Sequence, residues 1–197
     1  MRKNKLKKIK TYISILLLFS LSIISFGCSD VSMSYSQKEQ AIETSYILNN
    51  EIEEVTLYRV VDGDTLEIVK DNQTFKVRLI GIDCPESVSS NKSLNCEEGR
   101  LASTHTKELL TSKKTIYISK DKSETDKYDR LLRFVWLEKP NTFSKSEIKT
   151  KMLNAKILSD GYAQAKDYKP DTSLSVLFHQ LEKEASENSL GVSEKWK

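Results

Sequence analysis

Between Val55 and Ile82 three short β-branched and aliphatic runs follow one another with almost no spare chain: Val55–Val61, Thr65–Val69 and Phe75–Ile82. Alternation in the last (FKVRLIGI) puts Phe75, Val77, Leu79 and Gly81 on one face, the period of a half-buried strand. Asp62-Gly63-Asp64 separates the first pair and Asp71-Asn72 the second. Asp and Asn side chains hydrogen-bond their own backbone and tolerate positive φ, so both segments read as turns. The spacing predicts a three-stranded meander.

The rest of the chain extends this to an α+β domain. A helix is expected over Glu97–Leu110, with Leu101, Ala102, Leu109 and Leu110 as apolar positions. Glu97 and Glu98 stand at its positive end and Lys107 near its negative end. Strands at Thr115–Ser119 and Leu131–Leu137 flank a charged loop, Lys120–Arg130. Two more helices are expected, Glu147–Asp160 ended by Gly161, and Leu174–Asn188 with Leu174, Leu177, Phe178, Leu181 and Ala185 on one stripe. Five strands gathered before and between three helices suggest a small barrel.

At 197 residues and 38% hydrophobic content the chain has the composition of one ordinary globular domain. Its net charge of +3 misleads. Arg2, Lys3, Lys5, Lys7, Lys8 and Lys10 crowd the first ten positions, and without them the chain is net acidic. From Glu53 onward acids and bases balance, so the domain lacks the broad positive field of a dedicated nucleic-acid binder, and any basic site is local. The basic stretch leads into the apolar run Tyr12–Phe26 and then Gly27-Cys28, the order of a secretory signal peptide. The run is too short for a membrane span, which needs about 20 apolar residues. Residues 1–27 are therefore expected to be a cleaved signal. Gly27-Cys28 resembles a lipobox, with Cys28 acylated as the first mature residue, although Ser25 and Phe26 depart from the usual pair. Residues 28–52, rich in Ser, Gln and Asn, then form a tether, and the domain runs over 53–197. The expected location is exported: anchored at a membrane surface as a lipoprotein, or secreted.

Cys84 and Cys96 could close a disulfide in an oxidising compartment or remain two thiols; spacing does not decide. His105 and His179 stand alone and read as surface or packing residues. The chemistry sits in the turns. Asp64 and Asp83 could converge at the mouth of the sheet as oxygen ligands for a hard cation. Glu86, stiffened by Pro85, is placed to act as a general base. Arg78 and Arg130 supply two guanidinium forks for a phosphate and for the charge of its transition state. Each feature alone is ordinary; together they are the parts of a metal-assisted phosphodiester hydrolase.

Three motifs carry a family resemblance: Val60-Val61-Asp62-Gly63-Asp64-Thr65, Val77-Arg78-Leu79-Ile80-Gly81-Ile82-Asp83-Cys84-Pro85-Glu86, and Asp126-Lys127-Tyr128-Asp129-Arg130-Leu131-Leu132-Arg133. In order and spacing they are similar to the thermonuclease (staphylococcal nuclease) family, from about Val55 to Leu190. The resemblance implies a five-stranded OB-fold barrel with three helices. It also implies a calcium-dependent endonuclease of little sequence preference, cutting DNA and RNA to 3′-phosphates. Carried over by position, Asp64, Asp83 and the main-chain carbonyl of Cys84 would hold Ca2+. Arg78, Glu86 and Arg130 would be catalytic, and Lys127, Tyr128 and Tyr168 would bind substrate. Cys84 stands where the best-known members have Thr, and the approach to Tyr168 lacks a second tyrosine. The alternative is a catalytically silent OB-fold module that binds nucleic acid at the cell surface. The expected partners are a DNA or RNA strand and, through Cys28, a membrane; the protein is expected to be a monomer.

Overall fold

The computed structural model describes residues 51–88, 93 and 95–196. The expected signal peptide, the lipidation site Cys28 and the tether up to residue 50 lie outside the described residues. The chain described first is the expected meander: β1 (Glu53–Asp62), β2 (Thr65–Lys70) and β3 (Gln73–Leu79). β1 and β2 pair antiparallel as far as Asp62↔Thr65, and β2 and β3 from Thr65↔Arg78 to Lys70↔Gln73. At the second turn Asp71 and Asn72 both take positive φ, 50° and 60°. That is the two-residue geometry whose twist matches the strands it joins.

A meander leaves two strand edges open, and here they find each other through two later strands. β3 pairs in parallel with β6 (Leu131–Trp136), β6 antiparallel with β5 (Thr115–Ser119), and β5 antiparallel with β1. The result is a closed barrel in the order β1-β2-β3-β6-β5, which is the expected α+β OB-fold class. Inward positions follow the alternation. Leu66, Ile68, Val77, Leu79, Ile116, Ile118, Phe134 and Trp136 are at most 1% exposed, and burial of each side chain contributes roughly 1.5–3 kcal/mol before entropy is counted.

The strand expected over Phe75–Ile82 is in fact two. β3 stops at Leu79, and a short β4 (Ile82–Asp83) pairs instead with β7 (Gln164–Ala165). Gly81 makes the corner at φ +78°, where a Cβ would lie 2.6 Å from the Phe178 ring. The corner is what aims Asp83 away from the barrel ladder.

The described residues contain four helices of the α type where three were expected: α1 (Glu97–Leu110), α2 (Lys145–Lys151), α3 (Leu153–Ser159) and α4 (Ser175–Glu187). The expected Glu147–Asp160 helix is broken at Met152, whose extended backbone (φ −86°, ψ 123°) forms a β-bridge to Trp136. The barrel's last strand thus captures one residue of the helix. In α1 the buried face is Gly99, Ala102, Ser103, Thr106 and Leu110, while the expected apolar Leu101 is exposed. Thr106 is buried because its hydroxyl donates to the Gly63 carbonyl at 2.8 Å, tying α1 to the first turn. The stripe of α4 is as expected: Leu177, Phe178, Leu181 and Ala185 are buried.

Both cysteines are free thiols. Cys96 caps α1, its sulfur accepting from Gly99 N–H at 3.4 Å. His105 is a packing residue, stacked on Tyr162 at 4.2 Å and paired with Asp160 at 2.9 Å.

Glu147, in the first turn of α2, accepts from Lys151 Nζ at 2.8 Å and from the N–H groups of Thr142 and Asn141 at 3.0 and 2.8 Å. Lys151 foremost, these donors pull its carboxyl from 4.5 down to about 2. A depressed carboxylate stabilises the fold above its unfolded value and loses that contribution as pH falls through the folded one. Glu147→Gln should therefore lower Tm at pH 7, and thermal melts should show the gap to wild type closing between pH 4.5 and about 2. A gap that stays constant to pH 2 would contradict this.

Candidate active site

The turn Asp62-Gly63-Asp64-Thr65 is so tight that a Cβ on Gly63 would lie 2.8 Å from that of Cys84. This packing brings the β1–β2 turn against the chain that follows β4. Its two acids then do different things. Asp62 accepts from Gly63 N–H (2.8 Å) and from the hydroxyl and N–H of Ser87 (2.6 and 3.2 Å), which pins the loop carrying Glu86. Asp64 faces the other way, accepting from Thr65 Oγ1 and from Cys84 N–H, both at 3.0 Å.

Arg78 lies on β3, where the alternation turns it outward from the barrel, yet it is only 8% exposed. One guanidinium nitrogen, Nη1, donates to the carbonyls of Leu79 and Ile82, both at 2.9 Å. The other, Nη2, stands 3.0 Å from Asp64 Oδ2 and 2.8 Å from Asp83 Oδ1. A single cationic nitrogen thus bridges both carboxylates. The second oxygen of Asp83 accepts from Lys166 Nζ at 2.7 Å. Burial pushes the Asp64 carboxyl up, against Arg78 and the Cys84 N–H, which pull it down. For Arg78 burial acts downward, and the carboxylates of Asp64 and Asp83 prevail and raise it.

Glu86 sits on the rim beyond Pro85, its carbonyl accepting from Cys96 N–H at 3.1 Å. Partial desolvation, then repulsion from Asp62 and Asp64, raises its carboxyl, the direction that suits a base. Opposite, Asp126 organises the loop before β6. Its Oδ1 accepts from Tyr128 and Arg130 N–H (2.9 and 3.0 Å), and its Oδ2 from Arg130 Nε at 2.7 Å. Asp129 takes φ 59° to complete the turn. Tyr128 is 66% exposed, with Lys127 Nζ 5.0 Å and Arg130 Cζ 5.5 Å from its ring centroid. Tyr168 forms the far wall, 3.4 Å from Asp83 Oδ1 through its hydroxyl. Its loop is tied down by Asp171, which accepts from Lys122 and Ser123 N–H at 2.8 and 2.7 Å. Asp121 returns the tie by accepting from Ser173 N–H and Oγ at 2.9 and 2.7 Å.

All these elements surround one cleft of about 800 Å³. Asp64, Arg78, Asp83, Glu86, Lys127, Tyr128, Arg130 and Tyr168 all line it; Cys84 does not, its thiol being packed beneath the turn. Sequence reading did not single out Asp62 and Asp126 as anchors, although both stand inside the quoted motifs. Nothing in the sequence marked Lys166 or the Asp121–Ser173 tie.

Among the described residues no three Asp, Glu, His or Cys side chains form a ready cation cage. The two bridged carboxylates nonetheless suit a hard cation, because Arg78 Nη2 shows that one positive centre can reach both. The remaining ligands would be backbone oxygen and water.

A closed five-stranded barrel with acids, guanidinium groups and exposed tyrosines around one cleft defines an OB-fold protein with a charged cleft at the barrel's side. Residues 76–195 match the family described as "Staphylococcal nuclease homologue". The thermonuclease of Staphylococcus intermedius is 38% identical over 137 residues, covering 70% of this chain and 74% of that one. The thermonuclease of Staphylococcus hyicus is 32% identical over 155 residues, 79% of this chain and 84% of its own. Endonuclease YncB of Bacillus subtilis (strain 168) is 31% identical over 164 residues, 82% and 72% of the two chains. The chain belongs to the staphylococcal nuclease family.

Removing one partner from a buried ionic cluster leaves uncompensated charge and costs about 3–5 kcal/mol. Arg78→Met, unfolded by urea in the presence of a chelator, should lose stability on that order, and Asp64→Asn in the Arg78→Met background should recover part of it. A loss below about 1 kcal/mol would show that the cluster is not buried as described.

Proposed function

We propose that this chain is a calcium-dependent, largely sequence-nonspecific endonuclease that hydrolyses DNA and RNA to 3′-phosphate products. Family membership makes the chain a nuclease, a hydrolase of phosphodiester bonds in nucleic acid. The convergence of Arg78, Arg130, Asp64, Asp83 and Glu86 in one cleft supports the metal-assisted mechanism.

Asp64, Asp83 and the Cys84 carbonyl would hold Ca2+, which supplies positive charge beside the phosphate and a polarised water. Glu86 takes a proton from the attacking water. The water oxygen bonds to phosphorus, the bond from phosphorus to the 5′-oxygen breaks, and that oxygen leaves as the 5′-hydroxyl with a proton from solvent water, Glu86 returning its own proton to solvent. Arg78 and Arg130 bind the non-bridging oxygens, whose charge grows in the transition state. Asp126 holds the Arg130 fork in place. Lys127, Tyr128 and Tyr168 bind the strand, the tyrosine rings serving as stacking surfaces that accept any base. Export on the N-terminal signal, anchoring at Cys28 or release, and a monomeric state complete the reading; among the described residues no helix is long and apolar enough to cross a membrane.

Incubation with single-stranded DNA in calcium, in magnesium and in chelator tests the proposal. Cleavage is expected in calcium and absent in chelator. Glu86→Gln and Arg130→Ala should each lower kcat by about 10²–10⁴ while the melting curve stays near wild type. Full activity in chelator, or in either variant, would overturn the assignment.

A further inference from the structure

On β3 two cations share the outward face. Arg78 is buried at the floor of the cleft, and Lys76, two residues earlier, is exposed at its rim and also lines it. Side chains two apart on a strand are about 6.7 Å apart along it, on the scale of neighbouring phosphates in an extended single strand. On its other flank β3 pairs in parallel with β6 at Val77↔Leu131. Lys76 therefore stands one step before that pair, beside Arg130, which precedes Leu131.

An exposed lysine on a strand commonly pairs with the acid across from it. Here that acid is Glu67, directly opposite Lys76 in the β2–β3 register. Glu67 is already held by Arg59 through two bonds, Nε at 2.7 Å and Nη2 at 2.8 Å. Among the described residues Lys76 makes no ion pair, whereas Lys70, Lys120 and Lys166 each have a carboxylate. The Arg59–Glu67 pair thus keeps the acid across the ladder off Lys76, whose ammonium group is left open to the cleft.

We propose that Lys76 is a phosphate subsite for the nucleic-acid strand, binding the backbone phosphate next to the one held by Arg78 and Arg130. The proposal rests on the nuclease reading above and adds to it a substrate preference: a strand with a second phosphate binds more tightly than one with the scissile phosphate alone. Lys76 is a binding residue and makes no contact with the scissile group, so its removal acts on KM and leaves kcat in place.

The full chain is compared as wild type, Lys76→Gln, Lys76→Arg and Lys107→Gln on a single-stranded DNA 12-mer and on a dinucleoside monophosphate. Lys107 is an exposed lysine of α1 away from the cleft and controls for the charge change alone. On the 12-mer, Lys76→Gln should raise KM about three- to tenfold with kcat within about twofold. The slope of log affinity against log salt should fall by about 0.7, the value for one phosphate contact on a single strand. Lys76→Arg should restore both, and Lys107→Gln should match wild type. On the dinucleoside monophosphate, which lacks the second phosphate, all four should be alike. An unchanged KM and salt slope in Lys76→Gln would overturn the subsite, as would an equal loss on both substrates. Should wild type cleave neither substrate, the nuclease reading fails, and fluorescence anisotropy of the labelled 12-mer still reads Lys76: an unchanged affinity and salt slope in Lys76→Gln overturns the subsite too.

Discussion

The guanidinium group of Arg78 is the point on which the site depends. Through Nη1 it holds the carbonyls of Leu79 and Ile82, so it closes the corner at which the barrel strand ends and β4 begins. Through Nη2 it joins Asp64 from the first turn to Asp83 from β4. These two acids are 19 residues apart in sequence, on separate elements, and like charges that close would repel without a cation between them. Arg78 supplies that cation at the floor of the cleft, where it and Asp64 are buried and their contact is correspondingly stronger. A residue expected to grip phosphate is also the one that assembles the acids beneath it. Any cation entering between Asp64 and Asp83 meets a pair already brought together by positive charge.

The surrounding polar contacts have one purpose in common, to fix loops that carry functional groups. Asp62 pins the loop of Glu86, Asp126 shapes the loop of Arg130, and Asp121 with Asp171 ties the Tyr168 loop to the segment after β5. Each is a carboxylate accepting backbone N–H groups that a loop would otherwise leave unpaired. The barrel itself supplies only the platform. Its stability lies in Leu66, Val77, Ile116 and Trp136 and their neighbours, while the charged residues of the cleft stand on the turns and loops between strands, with Arg78 turned outward from β3.

Much of this was legible in the sequence because short-range signals carry it. The meander, its two turns and the buried stripe of α4 follow from alternation and turn chemistry, which depend on neighbours in the chain. The errors occurred where distant contacts override local preference. The helix around Met152 is interrupted because Trp136 on β6 claims that residue for a bridge, and periodicity contains no trace of Trp136. The strand through Gly81 bends because Phe178, nearly a hundred residues later, leaves no room for anything but a glycine corner. Leu101 was expected inside because it is apolar; the face of α1 that packs is set instead by the hydrogen bond from Thr106 to Gly63. The candidate site was read from its motifs as separate parts. That Lys166 closes on Asp83, and that Glu67 is withheld from Lys76 by Arg59, are facts of cross-strand register and loop placement that spacing does not encode.

The central claim is that Asp64 and Asp83, joined by Arg78, form one binding site for a hard cation in the cleft. Calorimetric titration of calcium into the full chain, with wild type, Asp64→Asn and Asp83→Asn side by side, tests it without relying on cleavage. The account predicts one ion bound per wild-type chain and its loss, or a large weakening, in both variants. Wild-type stoichiometry and affinity in either variant would contradict it.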